Sequence, residues 1–364
     1  MPKPNMLNRF AVALSLCALL GAAPEVSLAQ NAKPDAQRTQ QLNELLREGR
    51  KQVDAKAYDR AIQIYRQAAE LDGKNAKIFS GIGYLEAVQG NYQEAVNAYR
   101  QAIALDPKNA DFYYALGYSL ANLGDNEDAI SAYRRSTEMN AKNLNAQYGL
   151  GIVLTRTGNH REAEQVYRQV IALQPKSAKG YELLGASLIQ QRRFQEAIPP
   201  LEQAAKLAPR QGTIYVQMGA AQLGVGNRQA GLTAFKRAAE LEPRNALIQL
   251  QIGRILRAEE QWDDALAAYK RATILKNDLT EAYLAIGEIY IRRQDYLSAI
   301  LAYRDYVRIA PNDPTGYYGL GKALAARDRK SEAIENLEKA RDLYKQQRKS
   351  EEAKQVEKLI KELR

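Results

Sequence analysis

Residues 91–107 have the sequence NYQEAVNAYRQAIALDP, and this stretch decides the fold. From Ala95 to Ile103 its small and apolar residues follow the spacing i, i+1, i+4, i+7 and i+8, which places them on one face of an α-helix. Pro107 then ends the helix, because proline cannot donate the backbone hydrogen bond of the next turn. When the window is moved by 34 residues, the same helix pattern is found again.

A glycine eight residues before this stretch marks the period of the chain. It occurs nine times at intervals of 34 residues, without insertion or deletion. The nine residues are Gly49, Gly83, Gly117, Gly151, Gly185, Gly219, Gly253, Gly287 and Gly321. A fixed period of this length predicts one solenoid over residues 42–347, in which each repeat contacts only its neighbours.

Other slots of the repeat are as regular as the glycine, which is counted here as position 8. Position 20 is Ala in eight repeats and Gly231 in the ninth, and position 24 is aromatic in seven repeats, with Leu201 and Leu337 in the others. Proline closes five repeats at position 32. This pattern resembles the tetratricopeptide repeat. The resemblance implies an all-α, right-handed α-solenoid of nine helix-turn-helix repeats, with the aromatic residue of position 24 filling the space between repeats.

The N-terminus has the features of a secretory signal over residues 1–29. Lys3 and Arg9 precede an apolar run from Phe10 to Leu20, and small residues stand at Ser27 and Ala29. We expect cleavage after Ala29, with an uncleaved N-terminal anchor as the alternative. The periplasm is the expected compartment. The repeats are also similar to those common in cyanobacteria, which would allow a thylakoid lumen.

The two segments that flank the repeats differ in pattern. Residues 30–41, QNAKPDAQRTQQ, are polar and contain Pro34, which predicts a flexible lead-in. Residues 348–364 predict a C-terminal capping helix, with Ser350 as its cap. The alternative is a helix that lies on a membrane surface, because lysines occupy its polar side. Its apolar stripe consists of Val356, Leu359, Ile360 and Leu363.

The second helix of repeat 5 contains Pro199 and Pro200. Two prolines within a helix leave backbone acceptors free, at a cost of about 3 kcal/mol before compensation. We expect a local bend at this place, and the alternative is a hinge.

Enzymatic function is not predicted. His160 is the only histidine, and a lone histidine at a helix start is typical of a solvated residue. Cys17 is the only cysteine and lies in the predicted signal, so the exported chain would have no thiol. No metal-binding, phosphate-binding or nucleophile motif occurs, and we predict no catalytic, cofactor-binding or metal-binding residues. The net charge of +10 favours anionic proteins, wall polymers or lipid headgroups as partners, rather than nucleic acid.

The resemblance implies that a groove lined by positions 2, 5, 9, 12 and 13 binds an extended peptide or a helix of a partner protein. Four tyrosines occupy these slots in repeats 2–4, and we predict that they are apolar anchors. They are Tyr84, Tyr114, Tyr118 and Tyr148. Four basic residues occupy the same slots in repeats 7–9, and they predict steering of an acidic partner. They are Arg254, Arg257, Arg292 and Lys322. The alternative is a basic adaptor for anionic cell-wall or membrane surfaces.

Overall fold

The computed structural model describes residues 32–364, so the secretory signal predicted over residues 1–29 lies outside the described residues. The described residues form nineteen α-helices and no β-strand. They belong to two compact units, which are called unit 1, up to Gln191, and unit 2, from Arg192 to Arg364. The boundary falls between the two helices of repeat 5.

Each unit is built of consecutive helices that pack against their neighbours in the chain. Unit 1 contains α1 (Ala32–Asp54), α2 (Tyr58–Leu71), α3 (Ala76–Gln89), α4 (Tyr92–Leu105), α5 (Ala110–Leu123), α6 (Asn126–Met139), α7 (Leu144–Arg156), α8 (His160–Leu173) and α9 (Ala178–Gln190). Unit 2 contains α10 (Phe194–Leu207), α11 (Gly212–Gly224), α12 (Arg228–Leu241), α13 (Ala246–Ala258), α14 (Trp262–Leu275), α15 (Thr280–Arg292), α16 (Tyr296–Ile309), α17 (Pro314–Ala325), α18 (Lys330–Gln346) and α19 (Ser350–Leu363).

The helices keep the period that the sequence predicts. From α3 onwards, the first helix of every repeat begins at position 1, and the second helix of all nine repeats begins at position 17. These two helices are called helix A and helix B. Asn75, Asn109 and Asn245 each cap a following helix A, because the side-chain oxygen accepts a hydrogen bond from a backbone N–H of the first turn. The predicted all-α fold of helical repeats is confirmed.

The core forms where position 8 of helix A meets position 24 of helix B. A Cβ atom on Gly83 would lie 3.0 Å from the ring of Tyr99, so a side chain there would displace the ring. The position-24 ring also contacts the following repeat. A Cβ atom on Gly149 of repeat 4 would overlap the ring of Tyr133 of repeat 3. Tyr99 and Tyr133 are each only 1% exposed. The aromatic residue of position 24 therefore fills the space between repeats, as predicted.

The expectation of a flexible lead-in is wrong for residues 32–41, which belong to helix α1. Pro34 falls in the first turn of this helix, where a missing N–H leaves no acceptor unpaired. The following residues include good helix formers, and Arg38 donates from Nε to the backbone oxygen of Leu71 at 2.9 Å, at the end of α2. This contact fixes the start of the helix to its neighbour.

Helix α10 runs without interruption from Phe194 to Leu207 and includes both prolines. The two acceptors that they leave free are the backbone oxygens of Gln195 and Glu196, one turn earlier. Both of these residues are exposed, so water can satisfy the oxygens. Pro199 and Pro200 therefore do not break the helix.

Helix α19 covers the end of unit 2. Val356 and Ile360 are buried in one cluster with Leu337 and Tyr344 of α18. Leu359 and Leu363 of the predicted stripe pack against the same cluster. The helix begins at Ser350 itself, and Lys349 occupies the cap position in place of the predicted Ser350. The apolar face that a membrane-surface helix would need is thus occupied by the core. None of the described helices is both long and apolar enough to cross a bilayer.

Candidate functional site

Position 9 of three consecutive repeats in unit 1 carries a large apolar or aromatic side chain. Tyr84 lies on α3, Tyr118 on α5 and Ile152 on α7, and all three are half-buried. These three helices are neighbours, because α5 contacts both α3 and α7. The row is called the tyrosine face. Its two tyrosine rings and the Ile152 side chain pack against the core on one side and are exposed to solvent on the other.

Packing against Tyr92 of α4 restrains one ring of the tyrosine face. The Tyr118 ring meets the Tyr92 ring edge to face, with centroids 6.4 Å apart and an interplanar angle of 71°. Burial raises the pKa of Tyr118, and the neighbouring Tyr92 raises it further. Tyr84 and Tyr118 both lie near the hydroxyl of buried Tyr99, whose pKa is raised by burial first and then by these neighbours. The Tyr118 hydroxyl is therefore protonated at neutral pH and can donate as well as accept a hydrogen bond.

Tyr114 and Tyr148, which the sequence predicted as groove anchors, belong to the core. They are 6% and 7% exposed. The Tyr114 ring lies 6.2 Å from the ring of Tyr133, and burial raises the pKa of Tyr114 to about 12. The Tyr148 hydroxyl shares a hydrogen bond of 2.5 Å with Oγ of Ser177. Neither side chain can be the principal contact of a partner.

The physical reason is that position 5 faces inward in repeats 3 and 4. A signal for this was present in the sequence, because four other repeats have Leu or Val at position 5, which is typical of a core slot. These residues are Leu46, Val216, Leu250 and Leu284. Leu250 is indeed buried, and so is Glu182 at the same position of repeat 5.

The predicted basic residues of unit 2 are largely engaged with partners from the same unit. Both Nε and a terminal nitrogen of Arg254 donate to the carboxylate of Glu281 on the next helix A. The Arg254 contact holds the pKa of Glu281 below its ordinary value, while partial burial opposes this effect. Arg257 donates from one terminal nitrogen to the carboxylate of Glu288, at 2.8 Å. Two of the predicted positive charges are therefore compensated within the protein.

The other two basic residues lie over aromatic rings. The guanidinium carbon of Arg292 is 4.3 Å from the centroid of the Trp262 ring. Nζ of Lys322 lies 5.3 Å from the centroid of Tyr318 on the same helix, α17. These two contacts hold both cations against ring faces and leave part of each donor set available.

Three of the four basic residues come together, and Lys322 is not among them. Arg254, Arg257 and Arg292 line an open cleft of 540 Å³ with Trp262 and Glu288. Ala258 and Ile289 complete its lining. Sequence reasoning missed Trp262, because it stands at position 17, which the family resemblance does not assign to the groove. Its occurrence as the only tryptophan of the chain was the available signal.

His160 and the acidic side chains are the groups that could ligate a metal ion in the part of the chain that the structure describes. His160 is the first residue of α8 and is half-buried. Between residues 32 and 364, no three His, Cys, Asp or Glu side chains converge in a way that could hold a metal ion. The features that stand out on the surface are the tyrosine face of unit 1 and the arginine-lined cleft of unit 2.

Comparison with known families identifies the repeats. A model described as TPR repeat matches residues 83–124. A model described as tetratricopeptide repeat matches 114–178, 148–212, 216–280, 250–314 and 284–348, which together cover well over half of the chain. The chain belongs to the tetratricopeptide repeat family. Neither model describes a catalytic domain.

The fold is shared with a solved structure of the same family. A tetratricopeptide repeat protein from Parabacteroides merdae is 18% identical, with a TM-score of 0.53, and the match covers 69% of this chain and 99% of that one. YrrB, described as a TPR protein with an unusual peptide-binding site, is 22% identical with a TM-score of 0.45, over 51% of this chain and 97% of YrrB. PilF of Pseudomonas aeruginosa is 20% identical with a TM-score of 0.49, over 57% of this chain and 94% of PilF. No sequence among the curated proteins compared matches the chain.

Proposed function

We propose that this tetratricopeptide repeat protein is a non-enzymatic scaffold that binds a peptide or a helix of a partner protein. The observation that carries the proposal is the tyrosine face. Tyr84, Tyr118 and Ile152 occupy the same slot of three consecutive repeats, although the maintenance of the core does not require large side chains there. Repeats 5 and 6 have Ala186 and Ala220 at this position, which supports a role in binding for the larger residues.

The physical properties of the tyrosine face suit a partner segment. Tyrosine provides a large contact area at a low cost in side-chain entropy, and its hydroxyl can pair with the backbone of a bound peptide. Packing from Tyr92 restrains Tyr118 before any partner arrives, so less conformational entropy is lost on binding. We also propose that binding takes place in an exported compartment, on the basis of the secretory signal predicted over residues 1–29.

The test is a comparison of partner capture by two variants. The mature protein is cross-linked in its own cells, and the captured proteins are identified by mass spectrometry. The test variant is Tyr84→Ala/Tyr118→Ala, since both side chains are half-buried and not in the core. The control is Tyr113→Ala, which removes a half-buried ring from the same helix as Tyr118, about 140° around the helix axis. Helicity and Tm of both variants are measured alongside.

We expect a specific partner to be captured by the unaltered protein and by the Tyr113 variant, and to be lost from the double variant. Equal capture by all three proteins would contradict the role of the tyrosine face. If capture does not depend on the tyrosines, and the purified protein binds anionic lipid vesicles at low salt but not at physiological salt, the basic adaptor for anionic surfaces is favoured instead. A triple variant that includes Tyr114 and Tyr148 is unsuitable, because both are core residues.

A further inference from the structure

The cleft of unit 2 contains one guanidinium that differs from the other two. Arg254 and Arg257 each hold a carboxylate of this chain, from Glu281 and Glu288. Arg292 lies over the Trp262 ring, and no carboxylate of the described residues pairs with it. Three positive charges therefore meet two negative charges, and the uncompensated charge is that of Arg292.

The Trp262 ring determines how Arg292 can act. A guanidinium that stacks on an aromatic face keeps its N–H donors pointing outward in its own plane, where they match the two oxygens of a carboxylate. Trp262 itself is anchored, since it begins α14 and packs against the core of unit 2. Arg292 over the Trp262 ring is thus a restrained donor set that lines the 540 Å³ cleft.

The neighbouring ion pair of Arg257 and Glu288 can be rearranged by a ligand at a small cost in free energy. The side chains of Arg257 and Glu288 are 41% and 50% exposed. Exposed ion pairs of this kind contribute about 0–1 kcal/mol to stability. A carboxylate from another chain can therefore replace Glu288 on Arg257, or share Arg257 with it, without disturbing the fold.

We propose that this cleft binds the carboxylate side chains of an acidic segment of the partner protein, with Arg292 as the principal contact and Arg257 as the second. The inference rests on the proposed function, because it names the chemistry of the partner. Two guanidiniums of the cleft already hold carboxylates, and the third lines the same cleft without one. The ring of Trp262 and the methyl group of Ala258, which also line the cleft, favour an apolar side chain beside the acidic one.

A model peptide tests the proposal with the full-length mature protein. The probe is a fluorescein-labelled, acetylated and amidated peptide of about twelve residues that alternates Glu with Leu and Ala, and binding is followed by anisotropy. Its matched control has Gln in place of every Glu. Because Trp262 is the only tryptophan, the intrinsic fluorescence of the protein reports directly on occupation of the cleft. We expect the Glu peptide to bind and to change this fluorescence, and the Gln peptide to do neither.

Three variants separate a specific contact from general charge. Arg292→Gln is expected to weaken binding of the Glu peptide by about tenfold, because a charge-assisted two-point contact is lost. Arg292→Lys keeps the charge but not the planar fork and is expected to restore binding only in part. Arg293→Gln is the matched control. It removes the same charge from the adjacent residue, whose partner is Asp263, and should change affinity by less than about twofold.

The proposal is overturned if the unaltered protein does not bind the Glu peptide. It is also overturned if the Arg292→Gln and Arg293→Gln variants bind this peptide equally, or if the Arg292→Lys variant binds it as tightly as the unaltered protein does. Each of these outcomes is distinguishable from failure of the proposed function. Cellular capture that depends on Tyr84 and Tyr118, together with no binding of the Glu peptide, refutes the carboxylate cleft alone. Peptide binding without tyrosine-dependent capture refutes the tyrosine face alone.

Discussion

Units 1 and 2 use the same repeat but present different chemistry at the same slot. At position 9, repeats 2–4 of unit 1 have Tyr84, Tyr118 and Ile152, whereas the last three repeats of unit 2 have Arg254, Glu288 and Lys322. Position 24 shows no such difference in character, because a large buried side chain fills it in both units: tyrosine throughout unit 1, and tyrosine, phenylalanine or leucine in unit 2. The repeat therefore fixes the core and leaves the outer side of helix A free to vary, so the two units can serve two kinds of contact.

The first test asks whether the position-24 side chain stabilises both units equally. It has the largest expected effect on the free energy of unfolding. Tyr133→Ala in unit 1 and Tyr269→Ala in unit 2 each remove a buried ring from position 24. Each should lower the free energy of unfolding of its unit by about 3–5 kcal/mol, through lost burial and the remaining cavity. Urea titration followed by circular dichroism measures both. A loss below about 1 kcal/mol in one unit only would show that the cores are not equivalent.

The stability that the Arg254–Glu281 pair gives to unit 2 should depend on pH in the acid range, whereas the packing of the tyrosine face in unit 1 should not. Because the Arg254 contact lowers the pKa of Glu281, the pair stabilises unit 2 above the ordinary carboxyl range, and this stabilisation is lost as pH falls through the folded-state pKa. The exposure of both side chains limits the effect to about 1 kcal/mol or less.

The corresponding measurement compares Tm of the unaltered protein and of Glu281→Gln, at about pH 7 and at about pH 2.5. We expect a small deficit for the variant at neutral pH and none in acid. The control is Glu335→Gln on α18, an exposed residue for which the structure shows no ion pair among residues 32–364. A deficit that persists in acid would mean that the Glu281 carboxylate stabilises the unit by packing and not by charge.

The turns between helix A and helix B provide the smallest expected effect. Position 15 has a positive φ in both units, but repeats 2–4 have Gly90, Gly124 and Gly158 there, whereas the last three repeats have other residues. Glu260 has φ 58°, a conformation that is strained for a residue with a Cβ atom. Glu260→Gly should raise the free energy of unfolding by about 0.5 kcal/mol, and Gly90→Ala should lower it by about 1 kcal/mol. Opposite signs in thermal unfolding would support the turn geometry, and two losses would refute it.

The elements that the sequence predicts well are those that neighbouring residues determine. The helix starts, the contact of Gly83 with Tyr99 and the covered stripe of α19 all follow from residues within one or two repeats. The fixed period also repeats the glycine of position 8 nine times. The prediction of a flexible lead-in was wrong because the helix depends on a contact between Arg38 and Leu71. These residues are some thirty positions apart, so no local pattern indicates the contact.

The candidate site could be predicted only in part, for a related reason. A slot on helix A is known from the family, but the direction of a side chain depends on the packing of the next helix. Tyr114 and Tyr118 are separated by one turn of α5, yet the first is buried and the second is half-exposed. Likewise, the formal charge of Arg254 does not reveal that Glu281 of the next repeat neutralises it, nor that Trp262 supports Arg292.

The end of the stack has a consequence for the length of the array. Every repeat before α19 offers an apolar surface on which one more repeat can be added, so such a chain has no intrinsic stop. Helix α19 covers Leu337 and Tyr344 with its inner face, and its outer face carries exposed ion pairs between Glu351 and Lys354 and between Lys358 and Glu362. Helix α19 therefore occupies the place that a further repeat would take, and it presents a charged, hydrated face there instead of an apolar one.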